Sequence, residues 1–217
     1  MDEARDLADA RQWQMEKRIE EALAAIKKNN MTGIYARDKA AALNEILLRI
    51  PKNSVVSHGG SRSLVELGID EVLGRGGYQY LPSDPTWNPF ARESRLKDFT
   101  CDVYLTSVNA LTLKGELVVL DGVGNRAACL FFGPGKVLVV TGRNKIVDTL
   151  EDGIKRIREY VAPIHAKRRG WDVPCTKAGR CVECRSPMRI CNKLAVLQYE
   201  TNGDRTTVII VGTDLGI

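Results

Sequence analysis

Four of the six cysteines lie in one short segment, and thiols are well suited to bind soft metals. Cys175, Cys181, Cys184 and Cys191 follow the spacing C-x5-C-x2-C-x6-C. Because no secretory signal is visible at the N-terminus, this cluster favours a metal centre over disulfides. The spacing matches neither the usual ferredoxin run nor the paired knuckles of a zinc ribbon. We predict an iron–sulfur cluster, with zinc as the alternative, while redox-active thiols and disulfides stay open.

The cysteines lie in a strongly basic segment. Between residues 165 and 193, eight Lys or Arg stand against Asp172 and Glu183, a net charge of +6, whereas the whole chain carries +5. A metal with four thiolates is formally negative, and nearby basic side chains would offset that charge. A nucleic-acid surface is the rival interpretation. Only Trp171 and Tyr199 interleave with the charges, which argues against a base-stacking surface.

A second stretch has the composition of an anion-binding turn. Residues 53–68, NSVVSHGGSRSLVELG, predict a strand over Ser54–Ser57, a tight turn, and a helix from Ser63 to Gly68. A strand, a turn and a helix N-terminus together present free N–H groups to an anion. A turn whose serine caps the helix is the alternative, and His58 is either an acid–base group or a backbone-bonded turn residue. The predicted anion ligands here are Gly59, Gly60, Ser61, Arg62 and Ser63.

Residues 102–147 form the central part of the sequence. Three short apolar runs within them, Glu116–Leu120, Ala127–Phe132 and Val137–Thr141, predict strands separated by polar, glycine-bearing turns. The loop of residues 121–126, DGVGNR, has more polar chemistry than a hairpin needs, although an ordinary long hairpin loop is the alternative. From this region we predict the anion ligands Gly124, Asn125, Arg126 and Lys145, with Asp121 as a catalytic candidate.

Helical and strand patterns alternate along the chain. Apolar spacing predicts helices over residues 3–30, 37–50 and 148–161, the last one ending at Pro163. The alternation predicts an α/β fold with a largely parallel sheet flanked by helices. In such folds ligands collect beyond the carboxyl ends of the strands. The Gly/Ser turn and the loop of residues 121–126 both follow predicted strands, so we expect them to meet at one crevice.

The sequence predicts four parts. These are a helical arm, 1–30; an α/β domain, 31–165; a Cys-rich metal-binding segment, 166–195; and a terminal strand that returns to the domain, 196–217. The charged arm is expected to pack on its own domain or on a second subunit, which would make a homo-oligomer. No apolar run approaches the roughly 20 residues of a membrane helix. We therefore expect a cytoplasmic protein without a membrane span.

Four motifs, in this order, resemble the LUD (lactate utilisation) domain family. They are His58–Gly68, Asn109–Thr112, Asp121–Arg126 and Gly142–Val147. The resemblance covers about residues 10–165 and implies a fold similar to that of sugar-phosphate isomerases and coenzyme-A transferases. Members of the family accompany iron–sulfur proteins in oxidation of L-lactate to pyruvate, so iron–sulfur oxidoreductase subunits are the implied partners. Glu116, after Gly115, is similar to the Glu-Gly neighbourhood of coenzyme-A transferases and is a catalytic candidate.

We therefore expect a subunit or accessory protein for oxidation of a small hydroxy acid, with a pocket for an anionic metabolite. Two alternatives stay open. One is an independent enzyme acting on a carboxylate, sugar phosphate or acyl-coenzyme A, and the other is a non-catalytic module that senses redox state through its cysteines. Whether the chain is itself an enzyme, and which of His58, Glu116 and Asp121 is catalytic, the sequence leaves open.

Overall fold

The computed structural model describes residues 3–83 and 92–217. The helices are α1 Glu3–Lys28, α2 Lys39–Leu47, α3 Arg62–Glu66, α4 Ile69–Arg75, α5 Arg92–Phe99, α6 Asn125–Phe131, α7 Leu150–Arg156, α8 Ala162–Arg168 and α9 Pro174–Ala178. The strands are β1 Thr32–Ala36, β2 Val55–His58, β3 Gln79–Leu81, β4 Val103–Thr106, β5 Ala110–Thr112, β6 Leu117–Asp121, β7 Lys136–Gly142, β8 Ile146–Val147, β9 Lys193–Leu197 and β10 Thr206–Val211. A 3₁₀ turn, Arg143–Lys145, precedes β8, and a π-helical turn, Ile157–Val161, joins α7 to α8.

Six parallel strands form the main sheet, in the order β1-β10-β7-β4-β2-β3. Every residue of β4 and β10 is buried. One core packs α1 and α6 on one face of this sheet, and a second core packs α2, α3 and α4 on the other. Strands covered on both faces are largely apolar, because neither face meets water. The predicted α/β fold with a largely parallel sheet is confirmed.

A second, four-stranded sheet has the order β8-β5-β6-β9. β5 and β6 form an antiparallel hairpin, and β9 pairs antiparallel with the other edge of β6. β9 therefore brings the chain back from the Cys-rich segment before β10 enters the centre of the main sheet. The sequence patterns do not predict β1, β5, β8 or β9, which have five residues or fewer.

The strand predicted over Ala127–Phe132 is wrong, because these residues belong to α6. Gly124 precedes the helix in a left-handed conformation, with φ of 94°, which favours glycine. The Asp121 carboxylate accepts a hydrogen bond from the Ala127 N–H at 2.7 Å and so fixes the first helical turn. A short apolar run does not by itself distinguish a strand from a buried helix. The loop of residues 121–126 is therefore a strand-to-helix turn.

The helix predicted to end at Pro163 continues beyond it. α7 passes through the π-helical turn into α8, and Pro163 lies in the first turn of α8. Proline is tolerated there because its missing N–H costs little where the hydrogen-bonding pattern changes. The continuation carries His165 and Arg168 on α8.

The predicted N-terminal helix is present as α1, and its two halves differ. Ile19, Ala22 and Ile26 are buried in the core, whereas Leu7 and Trp13 are 52% and 62% exposed. The second half of α1 therefore belongs to the α/β domain. No helix within the described residues, α1 included, is long and apolar enough to cross a membrane.

Ile26→Ala is expected to lower the free energy of unfolding by about 2–5 kcal/mol, because it empties a fully buried site in the core. Trp13→Ala, on the exposed half of the same helix, is the matched control and should cost within about 0.5 kcal/mol in the monomer. Chemical denaturation of both variants measures these costs. Equal losses would contradict the division of α1 into a core half and an exposed half.

Candidate functional site

Three neighbouring strands of the main sheet, β2, β4 and β7, end at the same edge, and the segments after them meet there. Ser63 follows β2, Ser107 follows β4, and Lys145 follows β7. The Lys145 ammonium donates hydrogen bonds to Ser63 Oγ at 2.8 Å, Ser107 Oγ at 3.0 Å and the Val108 carbonyl at 3.2 Å. Ser107 Oγ lies 3.3 Å from Ser63 Oγ. We call Ser63, Ser107 and Lys145 the lysine cluster.

The lysine cluster is closed off from water, and this changes the acidity of its amine. Lys145 is 4% exposed, and both serines are buried. Burial, and after it the positive charges of Arg156 and Arg126, lower the pKa of Lys145 to about 7, although the Glu66 carboxylate opposes them. None of the described carboxylates accepts a hydrogen bond from this amine. Lys145 therefore exchanges between charged and neutral forms near neutral pH.

Arg126 connects the strand-to-helix turn to the lysine cluster. Its Nε donates to Asp121, Nη1 to the Ser107 carbonyl, and Nη2 to the Asn109 side chain and the Leu120 carbonyl, all within 3.1 Å. All three of its nitrogens are thus committed to protein acceptors. The aliphatic part of Arg126 also packs against Gly59. The Gly/Ser turn and the turn of residues 121–126 therefore meet at this side chain.

The other residues of the Gly/Ser turn and of the turn of residues 121–126 lie in different surroundings. Gly60 faces open space and is exposed, as is Arg62, while Ser61 caps α3 by accepting from the Leu64 N–H. Gly124 and Asn125 line a cavity of 330 Å³ with residues of α5, among them Phe99. That cavity does not include the Gly/Ser turn, so the predicted ligands are divided between two places.

Each of the three predicted catalytic candidates is held by protein partners. His58 is buried, with Nδ1 3.0 Å from the Gly59 carbonyl and Nε2 3.0 Å from Asp70 and 2.8 Å from the Tyr80 hydroxyl. Glu116 accepts from Thr112 Oγ1 at 3.0 Å and from Gln198 Nε2 at 2.8 Å in the β5–β6 hairpin. Asp121 accepts from Arg126 and from the backbone of α6.

Helix α8 adds further positive charge to this edge. Burial lowers the pKa of His165 to about 4, and the charges of Arg168, Arg169 and Arg126 act in the same direction. His165 is half-buried against Trp171, and with this lowered pKa it is neutral at pH 7. The pKa of Arg168 is lowered by burial and then by Arg169 and Arg62. Because Arg126 lowers the pKa of His165 and Arg62 lowers that of Arg168, the cations of α3, α6 and α8 lie in one region.

The four cysteines of the C-terminal segment are half-buried and unpaired. Burial raises the pKa of the Cys175 thiol, and the negative charges that Cys184, Cys191 and Cys181 would carry raise it further. The four thiols therefore lie within electrostatic reach of one another. Across residues 3–83 and 92–217, no three His, Cys, Asp or Glu side chains are arranged to hold a metal ion.

The backbone around the cysteines is tightly folded. Glu183, between Cys181 and Cys184, has a left-handed φ of 49°, which is uncommon for a residue other than glycine. Arg189 donates to the carbonyls of Cys184 and Cys191, both at 2.6 Å. A single guanidinium thus holds two of the cysteines in fixed relation to each other.

The comparisons with known proteins identify the family. A model of the LUD domain matches residues 19–211, and the chain belongs to this family, which is associated with lactate utilisation. A crystal structure of a DUF162 family protein from Deinococcus radiodurans is 13% identical, with a TM-score of 0.46, over 92% of this chain and 98% of that chain. None of the curated proteins matches the chain.

Sequence reasoning missed Ser107 and Arg156, and it assigned the cations of α8 to the metal-binding segment instead of to this edge. Ser107 is one serine after a short strand, with no motif around it, and only its place at the end of β4 marks it. Arg156 lies on α7, and its guanidinium donates to the carbonyls of Asn109 and Asn144 beside the cluster. Only the position of Ser107 in the chain could have indicated it. Neighbouring parallel strands end at the same edge of a sheet, so the segments that follow β2, β4 and β7 lie side by side.

Gly59→Ala is expected to lower the free energy of unfolding by about 1–3 kcal/mol, since the added methyl would overlap the buried Tyr104 hydroxyl. Gly60→Ala is the matched control, because nothing lies near the position of its added methyl. Urea denaturation of the two variants tests the difference. A Gly59→Ala protein as stable as Gly60→Ala would show that the turn does not approach Tyr104 this closely.

Proposed function

We propose that the chain binds a small anionic metabolite at the carboxyl edge of its parallel sheet, as a subunit or accessory protein in oxidation of a hydroxy acid, L-lactate to pyruvate. The family association with lactate utilisation supports the pathway. The main support for a binding site is that several positively charged side chains lie close together at this edge. The pKa values of Lys145, His165 and Arg168 are all lowered, first by burial and then by neighbouring cations.

Crowded cations favour an anion because each of them is repelled by the others. A bound carboxylate or phosphate would replace that repulsion with attraction. Charge-assisted hydrogen bonds from guanidinium groups to such anions are among the strong ones in proteins. The crowding therefore supports a ligand with at least one negative charge.

The exposed cations are the ones free to meet a ligand. Arg126 and Arg156 donate to protein carbonyls and supply mainly charge. Arg62 is exposed, and of its nitrogens only Nε has a partner in the described chain, the Glu66 carboxylate. Arg168 is also exposed, with one nitrogen 3.5 Å from His165 Nδ1. We assign the first contact with the anion to Arg62 and Arg168, whose charges act on each other.

Arg62→Ala and Arg168→Ala are each expected to weaken binding of an anion by about tenfold or more, because each removes a charge-assisted contact of about 1.5–3 kcal/mol. Calorimetry with L-lactate and pyruvate, at low and high salt, measures the affinity. Arg75→Ala on α4 is the matched control, since that side chain is 79% exposed and pairs with Glu71. Binding that is unchanged in both variants, or absent from the wild type, would refute the site.

A second proposal concerns the cysteines, and it rests on their spacing and on the folded backbone around them. We propose that Cys175, Cys181, Cys184 and Cys191, whose thiols are not arranged around a metal ion in the described structure, close around an iron–sulfur cluster when it binds, with zinc as the alternative. The C-x2-C pair encloses the left-handed Glu183, so both thiols can approach from one turn. The Arg189 guanidinium lies beside two of the cysteines and would offset negative charge on the thiolates. An iron–sulfur oxidoreductase subunit is the partner that such a centre would serve.

Protein purified without oxygen is expected to contain iron and acid-labile sulfide and to absorb visible light. Cys184→Ala should lose most of the metal, whereas Cys101→Ala, which removes a buried thiol outside the segment, should keep it. One colourless zinc per chain would support the alternative metal. If the anaerobic protein holds neither metal and all four thiols alkylate freely, the segment is a redox-responsive one instead.

A further inference from the structure

Two hydroxyls and one amine converge in the lysine cluster, and the proposed anion site does not account for this arrangement. Anion binding at the surface requires exposed cations, whereas Ser63, Ser107 and Lys145 are buried beneath them. The three side chains come from the ends of three adjacent parallel strands, where α/β proteins place their reactive groups. An amine within 2.8 Å of one serine hydroxyl and 3.0 Å of another has the geometry of a base paired with a nucleophile.

We propose that Ser63 is a nucleophile for acyl transfer, that Lys145 is its general base, and that Ser107 orients the amine. The substrate class is an activated acyl compound, an ester or thioester, that carries an anionic group. This inference rests on the proposed function in one respect: Arg62 and Arg168 hold the anionic group of the substrate.

The acidity of Lys145 agrees with this role. A base must be unprotonated, and an ordinary lysine is almost fully charged at pH 7. With a pKa of about 7, Lys145 is neutral in a large fraction of molecules at that pH. The groups that face the amine are the two serine hydroxyls and the Val108 carbonyl, and the nearby charges that act on it are Arg126, Arg156 and Glu66. None of these groups titrates between pH 6 and pH 9 in its ordinary state.

The reaction needs no oxidant or further reagent. Ser63 Oγ forms a bond to the acyl carbon while its proton passes to the Lys145 amine. The bond from the acyl carbon to the leaving oxygen or sulfur then breaks, and the leaving group takes the proton from Lys145. Water attacks the Ser63 ester in the same way, which releases the carboxylic acid and restores the hydroxyl.

The C-terminal segment lies against the proposed nucleophile. Ser63 Oγ donates to the Leu215 carbonyl at 3.3 Å, a long hydrogen bond. Gly216, with a left-handed φ of 69°, passes so close to Ser63 Oγ and Lys145 Nζ that no side chain fits there. An incoming acyl carbonyl would displace this segment from above Ser63.

The experiment compares two acyl donors, p-nitrophenyl acetate and the singly charged p-nitrophenyl succinate. The full chain is incubated with each donor between pH 5 and pH 9, and the adduct is located by peptide mass mapping. We expect one hydroxylamine-labile ester, on Ser63, whose rate of formation rises with pH through about 7 as Lys145 loses its proton. Ser63→Ala should lose the ester, and Ser54→Ala, another buried serine, should keep it. Lys145→Met should lose the rise with pH.

The outcomes separate this inference from the proposed function. No ester on Ser63 from either donor, in protein that binds anions, would overturn the nucleophile and leave the anion site intact. An ester on Ser63 that forms equally fast from both donors, in a protein that binds no anion, would overturn the anion site alone. If Lys145→Met does not fold, the wild-type pH profile decides, and a rate without a step near pH 7 would exclude Lys145 as the base.

Discussion

The buried amine of Lys145 is the constraint on which the carboxyl edge of the sheet depends. Removal of a charged amine from water is costly, and both its hydrogen bonds and its lowered pKa offset that cost. Here the three bonds go to Ser63, Ser107 and the Val108 carbonyl, so they fix the segments that follow β2 and β4 to the one that follows β7. The strands beneath are apolar on both faces and leave these segments little freedom to move apart. One side chain thereby sets the spacing of the whole edge.

Charge at this edge is unbalanced in the positive direction. Asp121 compensates Arg126, and Glu66 compensates Arg62, but Arg168 on α8 adds a further cation, and the His165 imidazole beside it is neutral at pH 7. α8 reaches this region only because the chain continues through the π-helical turn and Pro163. The repulsion lowers the pKa of the amine and of the imidazole together. The same excess of positive charge thus favours an anionic ligand at the surface and the neutral form of the buried Lys145 amine.

Some of this could be predicted from the sequence and some could not, for physical reasons. The strand, turn and helix around residues 54–67 are specified locally, by two glycines and a capping serine, and they form as predicted. α6 was predicted as a strand because its apolar run fits either state, and the hydrogen bond from the Ala127 N–H to Asp121, which favours the helix, is visible only in the structure. Ser107 has no local pattern at all, since its role comes from the neighbours of β4 in the sheet. The grouping of the four cysteines follows from their spacing, but the Arg189 contacts that hold two of them do not.

The central claim is that Lys145 is neutral in a large part of the molecules at pH 7 because of burial and neighbouring arginines. Nuclear magnetic resonance of protein with ¹³C-labelled lysines measures this directly, by following each side-chain methylene next to the amine as pH changes. Comparison with Lys145→Met assigns the signal. The structure predicts a midpoint at about 7 for this lysine, well below its ordinary value of 10.5. A midpoint near 10 would mean that Lys145 is an ordinary charged lysine, and the account of this edge would be wrong.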